Sequence, residues 1–181
     1  GFGWWWHTPE DTIDKVDPAA LARDARVYAR LVHAACAQPV APLVYSRTAR
    51  DLAARLRDLD VQVDGRLPLG DLADRAEALA ATLERLESSW RETPNAAAWR
   101  VQKRVARALV PVGYVAGPRH EHDPALAQPP IPSLRGIEEF IMTNDPDRQR
   151  HLLVGLRRGI NGLSDLLREA DDALSTQEGR S

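Results

Sequence analysis

Residues 69–90, which read LGDLADRAEALAATLERLESSW, decide the fold class of this chain. Apolar side chains recur there at steps of three and four, at Leu69, Leu72, Ala76, Leu79, Leu83, Leu86 and Trp90. Residues three and four apart share one face of an α-helix, so this spacing forms a single stripe. The stretch therefore predicts a long amphipathic helix with a heptad-like seam, which Thr93-Pro94 ends.

Further segments show the same helical period. The first has the clearest start, because Asp17 is a carboxylate N-cap and Pro18 is a proline at the first helical position. Its apolar stripe is Leu21, Ala25, Tyr28, Val32 and Ala35. Turn and proline signals set the limits of the other helices. The first helix ends before Pro39, and the second runs from about Ser46 to the turn at Asp64-Gly65. The fourth has its apolar stripe from Ala98 to Val112, a short helix lies near 133–142, and the longest helix begins near Asp145-Pro146.

No segment has a convincing β period, so the chain is predicted to be all-α, an antiparallel helical bundle with coiled-coil-like packing. Residues 1–17 differ from the rest, with three of the five tryptophans and a dense Thr/Pro/Asp turn pattern. We therefore expect three parts. Residues 1–17 form a short segment outside the bundle, residues 18–176 form the bundle, and residues 177–181 form a frayed polar tail.

Composition limits the function classes. The 181 residues suffice for one domain with a core, and 44% hydrophobic with 28% charged residues is ordinary for a globular protein. The net charge of -2 disfavours a nucleic-acid surface. No apolar run approaches the roughly 20 residues that span a bilayer. Because the chain starts without methionine or a leader-like segment, we expect it to begin inside a longer protein.

Two smaller features complete the helical interpretation. Cys36 is the single cysteine, so it has no internal disulfide partner, and its apolar helical setting predicts a small buried side chain. Gly155, Gly159 and Gly162 lie inside the last helix, where glycine costs about 1 kcal/mol relative to alanine. Close approach of another helix, including one from a second subunit, or local looseness would account for these glycines.

The chemistry concentrates around His7. Thr8-Pro9-Glu10-Asp11 is a variant of the capping box, in which Thr8 caps a helical turn and Asp11 reaches back to the Thr8 N–H. His7 then lies just outside a rigid turn, which suits an imidazole that binds a metal ion. The alternative is a surface turn beside core tryptophans, because a zinc site needs three or four ligands and His7 has no partner at helical spacing.

Residues 4–18 as a whole, WWWHTPEDTIDKVDP, resemble the C-terminal signature of the di-zinc exopeptidases, the aminopeptidases related to glutamate carboxypeptidase and the transferrin receptor. The resemblance implies that His7 binds one of two zinc ions. It also implies that the aromatic residues before it, Trp6 and Trp5, border the substrate pocket. Residues 1–17 would then be the C-terminal edge of a catalytic metallopeptidase domain.

Residues 18–176 resemble, more loosely, the helical dimerisation domain of the transferrin-receptor branch. The resemblance implies a zinc-dependent peptide-bond hydrolase, most similar to an aminopeptidase, that forms a homodimer through this bundle. The other zinc ligands and a glutamate general base would lie upstream of Gly1. We therefore expect the isolated chain to be inactive and to lack tightly held zinc.

The loop at residues 117–132 contains His120-Glu121-His122-Asp123, which is either a site or a solvated polar loop. In glutamate carboxypeptidase the corresponding loop recognises the substrate's terminal residue through a Lys-Tyr pair. Residues 117–132 contain neither lysine nor tyrosine, so glutamate specificity is not implied. Arg119, His120 and His122 remain candidate substrate contacts.

Two alternatives compete with the peptidase. One is a non-catalytic binding or structural dimer of the transferrin-receptor type, and the other is a free-standing helical scaffold. The complete motif around His7 favours the enzyme, because an inactive site has no chemical need for that histidine. Arg100, Lys103, Arg104 and Arg107 form a basic helix face that is expected to be solvated, and His33 and His151 lie on helices without obvious partners.

Overall fold

The computed structural model describes residues 3–117 and 128–178. Within these residues the chain has helices and no β-strand, which confirms the all-α class. Six α-helices and two short 3-10 helices follow in this order: the 3-10 helix Ile13–Lys15, α1 (Pro18–Cys36), α2 (Tyr45–Val63), α3 (Leu69–Glu92), α4 (Ala96–Tyr114), the 3-10 helix Pro132–Leu134, α5 (Ile137–Met142) and α6 (Pro146–Glu178).

The helices fall into two compact units, Gly1–Pro42 and Leu43–Ser181. The first unit contains α1, whereas the sequence assigned this helix to the bundle and set the boundary after residue 17. The apolar stripe of α1 exists, but the helix buries none of its residues. A periodic stripe identifies an amphipathic helix and leaves open which surface covers it.

Helices α2 and α3 form an antiparallel hairpin in the second unit. Asp64 and Gly65, with φ angles of 51° and 68°, make the left-handed turn that ends α2. Ion pairs follow the antiparallel register, with Arg57 between Asp74 and Glu77 and with the Arg50 guanidinium 2.8 Å from Glu84. These exposed pairs contribute little energy individually. The fully buried leucines between the two helices, including Leu56, Leu79 and Leu83, stabilise the hairpin.

The first turn of α2 is capped by a residue from α3. Glu87 is buried, and its Oε1 accepts hydrogen bonds from the backbone N–H groups of Tyr45 and Ser46 at 2.6 and 3.0 Å. The hydroxyl of Ser46 donates to Oε2 at 2.6 Å. A carboxylate here satisfies otherwise unpaired helix N–H groups and is favoured by the helix dipole. Val44, the N-cap residue, offers no side-chain bond of its own.

Helices α4 and α6 pack against each other and complete the core with α3. The Asn95 side chain caps α4 by accepting from the Ala98 N–H at 2.8 Å. The Arg75 guanidinium on α3 donates to the Ser164 hydroxyl on α6 at 2.8 Å. Fully buried side chains fill the space between the helices, among them Trp90, Leu109, Leu134, Leu156, Leu163 and Leu167.

The glycines of α6 have different surroundings. A Cβ atom at Gly159 would lie 2.2 Å from the backbone carbonyl oxygen of Ser133, so only glycine permits this approach of the 3-10 helix Pro132–Leu134. The predicted close approach is thus found at Gly159, with a 3-10 helix as the neighbour. At Gly155 and Gly162 an added Cβ would meet no atom of residues 3–117 and 128–178 within 4 Å.

Three details differ from the sequence predictions. Cys36 is exposed, because α1 buries none of its residues. Leu86 is only half-buried, and its neighbour Glu87 is buried instead as the cap of α2. The α6 helix continues to Glu178, past the expected end at residue 176.

Candidate functional site

His7 occupies the third position of a tight turn formed by residues 5–8. The Thr8 N–H donates to the Trp5 carbonyl at 2.9 Å, and the Thr8 hydroxyl donates to the same oxygen at 2.7 Å. His7 has a φ of 62°, in the left-handed region that this turn position usually fills with glycine or asparagine. An L-residue there costs about 1 kcal/mol or more, so the two bonds from Thr8 hold a strained residue in place.

Aromatic rings fix the side chains around this turn. The His7 imidazole stacks on the Trp6 indole with the ring centroids 3.7 Å apart and the planes 21° from parallel. Trp4 meets Trp5 edge to face at 6.3 Å. The Trp5 ring covers Gly3, where an added Cβ would lie 2.0 Å from ring carbons. Trp6 and Trp4 remain largely exposed, at 47% and 73%.

The predicted capping box is wrong in one respect and right in another. The Thr8 N–H donates to the Trp5 carbonyl oxygen and not, as predicted, to the Asp11 carboxylate. Thr8 still caps the next turn, since its hydroxyl accepts from the Glu10 N–H at 3.3 Å and its carbonyl accepts from the Asp11 N–H at 3.0 Å. No α-helix follows this turn; the chain continues into the 3-10 helix Ile13–Lys15. The turn around His7 is therefore rigid for a different reason from the one predicted.

Residues 12–20 join the His7 turn to α1. The Lys15 ammonium and the Thr12 hydroxyl both donate hydrogen bonds to the Asp14 carboxylate. These bonds lower the pKa of Asp14 from its ordinary value of 3.8, and the bond from Lys15 has the larger effect. The Asp17 carboxylate caps α1 as predicted, accepting from the Ala19 N–H at 2.8 Å. Consecutive local bonds thus connect the turn to the start of the helix.

The His7 imidazole is exposed and supplies one metal-binding nitrogen. A zinc site requires three or four ligands. In residues 3–117 and 128–178, no group of three histidine, cysteine, aspartate or glutamate side chains is placed to hold a metal ion. Among the described residues, this turn therefore offers a metal ion the His7 imidazole and no complete set of ligands.

The other predicted site residues have separate places. Trp5 and Trp6 flank His7 on the N-terminal side of the turn. Arg119, His120 and His122 lie outside the described residues. His33 and His151 are exposed on α1 and α6. The basic face of α4 is exposed as expected, and the Lys103 ammonium lies 5.3 Å from the centre of the Trp99 ring.

A groove in the second unit was not predicted. It has a volume of about 1060 Å³ and lies between the end of α4, the 3-10 helix Pro132–Leu134 and α6. Pro111, Val112 and Val115 form one side. The α6 side is lined by leucines, by three glycines and by polar residues, the latter two groups being Gly155, Gly159, Gly162, His151, Arg158, Asp165 and Glu169. The only signal for this groove in the sequence was the set of glycines in the last helix.

Comparison of this chain with protein-family models, with curated proteins and with solved structures returns no match. Among the described residues, no helix is long and apolar enough to cross a bilayer.

Proposed function

We propose that this chain is the C-terminal part of a zinc-dependent exopeptidase of the aminopeptidase type. In this proposal residues 1–17 complete the active site of an upstream catalytic domain, and His7 is one of its zinc ligands. The helices that follow pair two subunits. The observation that carries the proposal is the strained, left-handed His7, because such backbone conformations are concentrated at functional sites.

The surroundings of His7 support this role. A metal-binding imidazole must be held in a fixed direction, and the stacked Trp6 ring together with the two bonds from Thr8 restrains it. The side chain is nevertheless exposed, so an ion held by other residues can reach it. Exposed Trp4 and Trp6 beside it suit the apolar wall of a substrate pocket.

The apolar face of α1 supports the proposal that a large surface of another domain packs against this helix. Leu21, Tyr28 and Val32 are each 60% exposed or more, on a helix without a buried residue. In proteins most of the stability of an amphipathic helix comes from the packing of its apolar face. In our proposal the upstream catalytic domain covers this face, which would also fix His7 relative to the other zinc ligands.

The proposed chemistry assigns limited roles to this chain. Bound zinc would polarise a peptide carbonyl and activate water for attack on it. His7 would hold one ion, and Trp6 and Trp5 would exclude water from one side of the substrate. The general base and the remaining ligands belong to the upstream domain, so the isolated chain is expected to be inactive.

The test replaces His7 with asparagine in the longer protein that includes the upstream domain. Asparagine tolerates the left-handed conformation and is not a usual zinc ligand, so His7→Asn keeps the turn and removes the ligand. We expect aminopeptidase activity and zinc affinity to fall by more than about a hundredfold, since even residues that only support zinc ligands contribute ten- to a hundredfold. His33→Asn, at an exposed histidine on α1, is the matched control and should retain both.

Two outcomes would count against the enzyme. Unchanged zinc content and activity in His7→Asn would show that His7 is not a zinc ligand. A longer protein that binds no zinc and hydrolyses no aminoacyl substrate, while still forming dimers, would favour the non-catalytic binding module instead.

A further inference from the structure

Helix α6 is mainly basic before its midpoint and mainly acidic after it. Residues 146–159 contain four arginines and one aspartate, whereas residues 163–172 contain four carboxylates and one arginine. The change of sign falls at residues 160–162, which carry no charge. A helix with this pattern is complementary to a second copy of itself in the antiparallel direction, because each basic half then faces an acidic half.

The same antisymmetry appears on the part of α6 that lines the groove. Arg158 lies four residues before Gly162, and Asp165 lies three residues after it. These positions share one helix face, since they are spaced by one and two turns. Gly162 therefore marks the centre of an exposed stripe with a cation on one side and a carboxylate on the other.

The centre of the stripe has room for a crossing helix. A Cβ at Gly162 or at Gly155 would meet no atom of the described residues within 4 Å. Glycine is unfavourable inside a helix, and at Gly159 the contact with Ser133 accounts for it. No contact within the described residues accounts for the other two. Beside them the groove offers partly exposed apolar surface at Val115 and Leu166, which a partner can bury.

We infer that this groove is a twofold interface between two copies of the chain, in which the two α6 helices cross antiparallel at Gly162. Arg158 of each copy then faces Asp165 of the other, so one residue pair occurs twice, as twofold symmetry requires. The Arg168 guanidinium already binds one oxygen of the Asp165 carboxylate at 2.8 Å, and a carboxylate accepts more than one donor. The apolar surface provides the affinity, and the charges set the direction and register.

The test exchanges the two charges. In Arg158→Asp and in Asp165→Arg, like charges face each other twice per dimer, so we expect the dimer dissociation constant to rise about tenfold or more in sedimentation equilibrium. The double variant R158D/D165R restores both pairs in reversed order. It should return the constant to within about threefold of the unmodified chain.

Two further variants separate this interface from general effects. Arg157→Asp makes the same charge change one residue away, at an exposed position outside the groove, and should raise the dissociation constant much less than Arg158→Asp does. Gly162→Leu places a side chain at the crossing point, and its Cβ meets no atom of the described residues within 4 Å, so it should abolish the dimer while circular dichroism shows full helix content.

Three results would overturn the inference. The first is a chain that remains monomeric at about 100 µM, a concentration at which a micromolar dimer is saturated. The second is a dimer that the single variants do not weaken, as expected if the exposed face of α1 mediates association instead. The third is a double variant that dimerises no better than the single ones.

This inference rests on the subunit pairing in the proposed function, and its failure can be distinguished from failure of that function. The zinc and activity assays with His7→Asn do not depend on residues of α6. If the protein is an active zinc enzyme whose dimer dissociation constant does not change with the charge exchange, only the α6 interface is disproved. A dimer that follows the exchange in a protein without zinc would retain the interface and remove the peptidase.

Discussion

The carboxylate of Glu87 serves three donors at the first turn of α2: the N–H groups of Tyr45 and Ser46 and the Ser46 hydroxyl. The periodic pattern of α3 assigned Leu86 to the interior and overlooked its neighbour. The reason is physical, because the partner of Glu87 lies 42 residues away and no local signal connects them. Sequence periodicity finds apolar stripes, whereas a buried charge depends on groups that only the fold brings together.

We predict that Glu87→Gln destabilises the second unit by about 1–3 kcal/mol, because the amide loses the charge and turns an N–H group toward other donors. Chemical denaturation followed by circular dichroism would measure this free energy. Glu84→Gln is the control on the same helix, since Glu84 makes only an exposed pair with Arg50 and should lose about 0.5 kcal/mol or less. Equal effects of the two substitutions would contradict the role of Glu87 as a cap.

Asp171 provides a pH-dependent test at the same scale. Burial raises the pKa of Asp171 above its ordinary value of 3.8, the Arg75 guanidinium opposes this effect, and Asp172 adds to it. Because the pKa is higher in the folded state than in the unfolded state, the carboxyl contributes stability below pH 3.8 and loses it as pH rises through the folded pKa.

Asp171→Asn should therefore be more stable than the unmodified chain at pH 7, and the difference should shrink toward pH 3.8 and below. Thermal unfolding across this pH range would show the effect. Asp58→Asn, at an exposed aspartate on α2, is the matched control. A stabilisation by Asp171→Asn that is constant with pH would exclude the carboxyl as its cause.

At the scale of whole elements, the sequence predicted where helices end better than it predicted what they pack against. Asp17-Pro18 before α1 and Asp64-Gly65 after α2 are local signals, and the structure confirms both. The start of α2 has no local signal, because Glu87 supplies its cap from α3. The exposure of α1 was not foreseen, since its stripe of apolar residues resembles those of the buried helices.

The glycines of α6 give a prediction at this scale. Gly159→Ala should destabilise the packing of α6 on the 3-10 helix Pro132–Leu134 by about 1–3 kcal/mol, because its Cβ would overlap the Ser133 carbonyl oxygen. Gly155→Ala on the same helix should instead stabilise by up to about 1 kcal/mol, since alanine favours the helix and meets nothing there. Urea denaturation would compare the two. The same sign for both substitutions would contradict the contact at Gly159.

At the scale of the whole molecule, the sequence predicted the class of fold and the presence of long amphipathic helices. It did not predict that α1 groups with the His7 turn in Gly1–Pro42. Nor did it predict the groove, because the groove combines residues from α4, α6 and a 3-10 helix that are far apart in the chain. At the His7 turn the sequence indicated rigidity around the imidazole, while only the structure revealed the left-handed backbone of His7.

The hairpin of α2 and α3 also has a consequence for the order in which the second unit folds. Its cross-helix contacts join residues 10 to 42 positions apart, whereas the bond between Arg75 and Ser164 spans 89 positions. Short loops close at a smaller entropy cost, so the hairpin should form in the rate-limiting step and α6 should dock later. In stopped-flow kinetics, Glu87→Gln should then slow folding, and Gly159→Ala should chiefly accelerate unfolding.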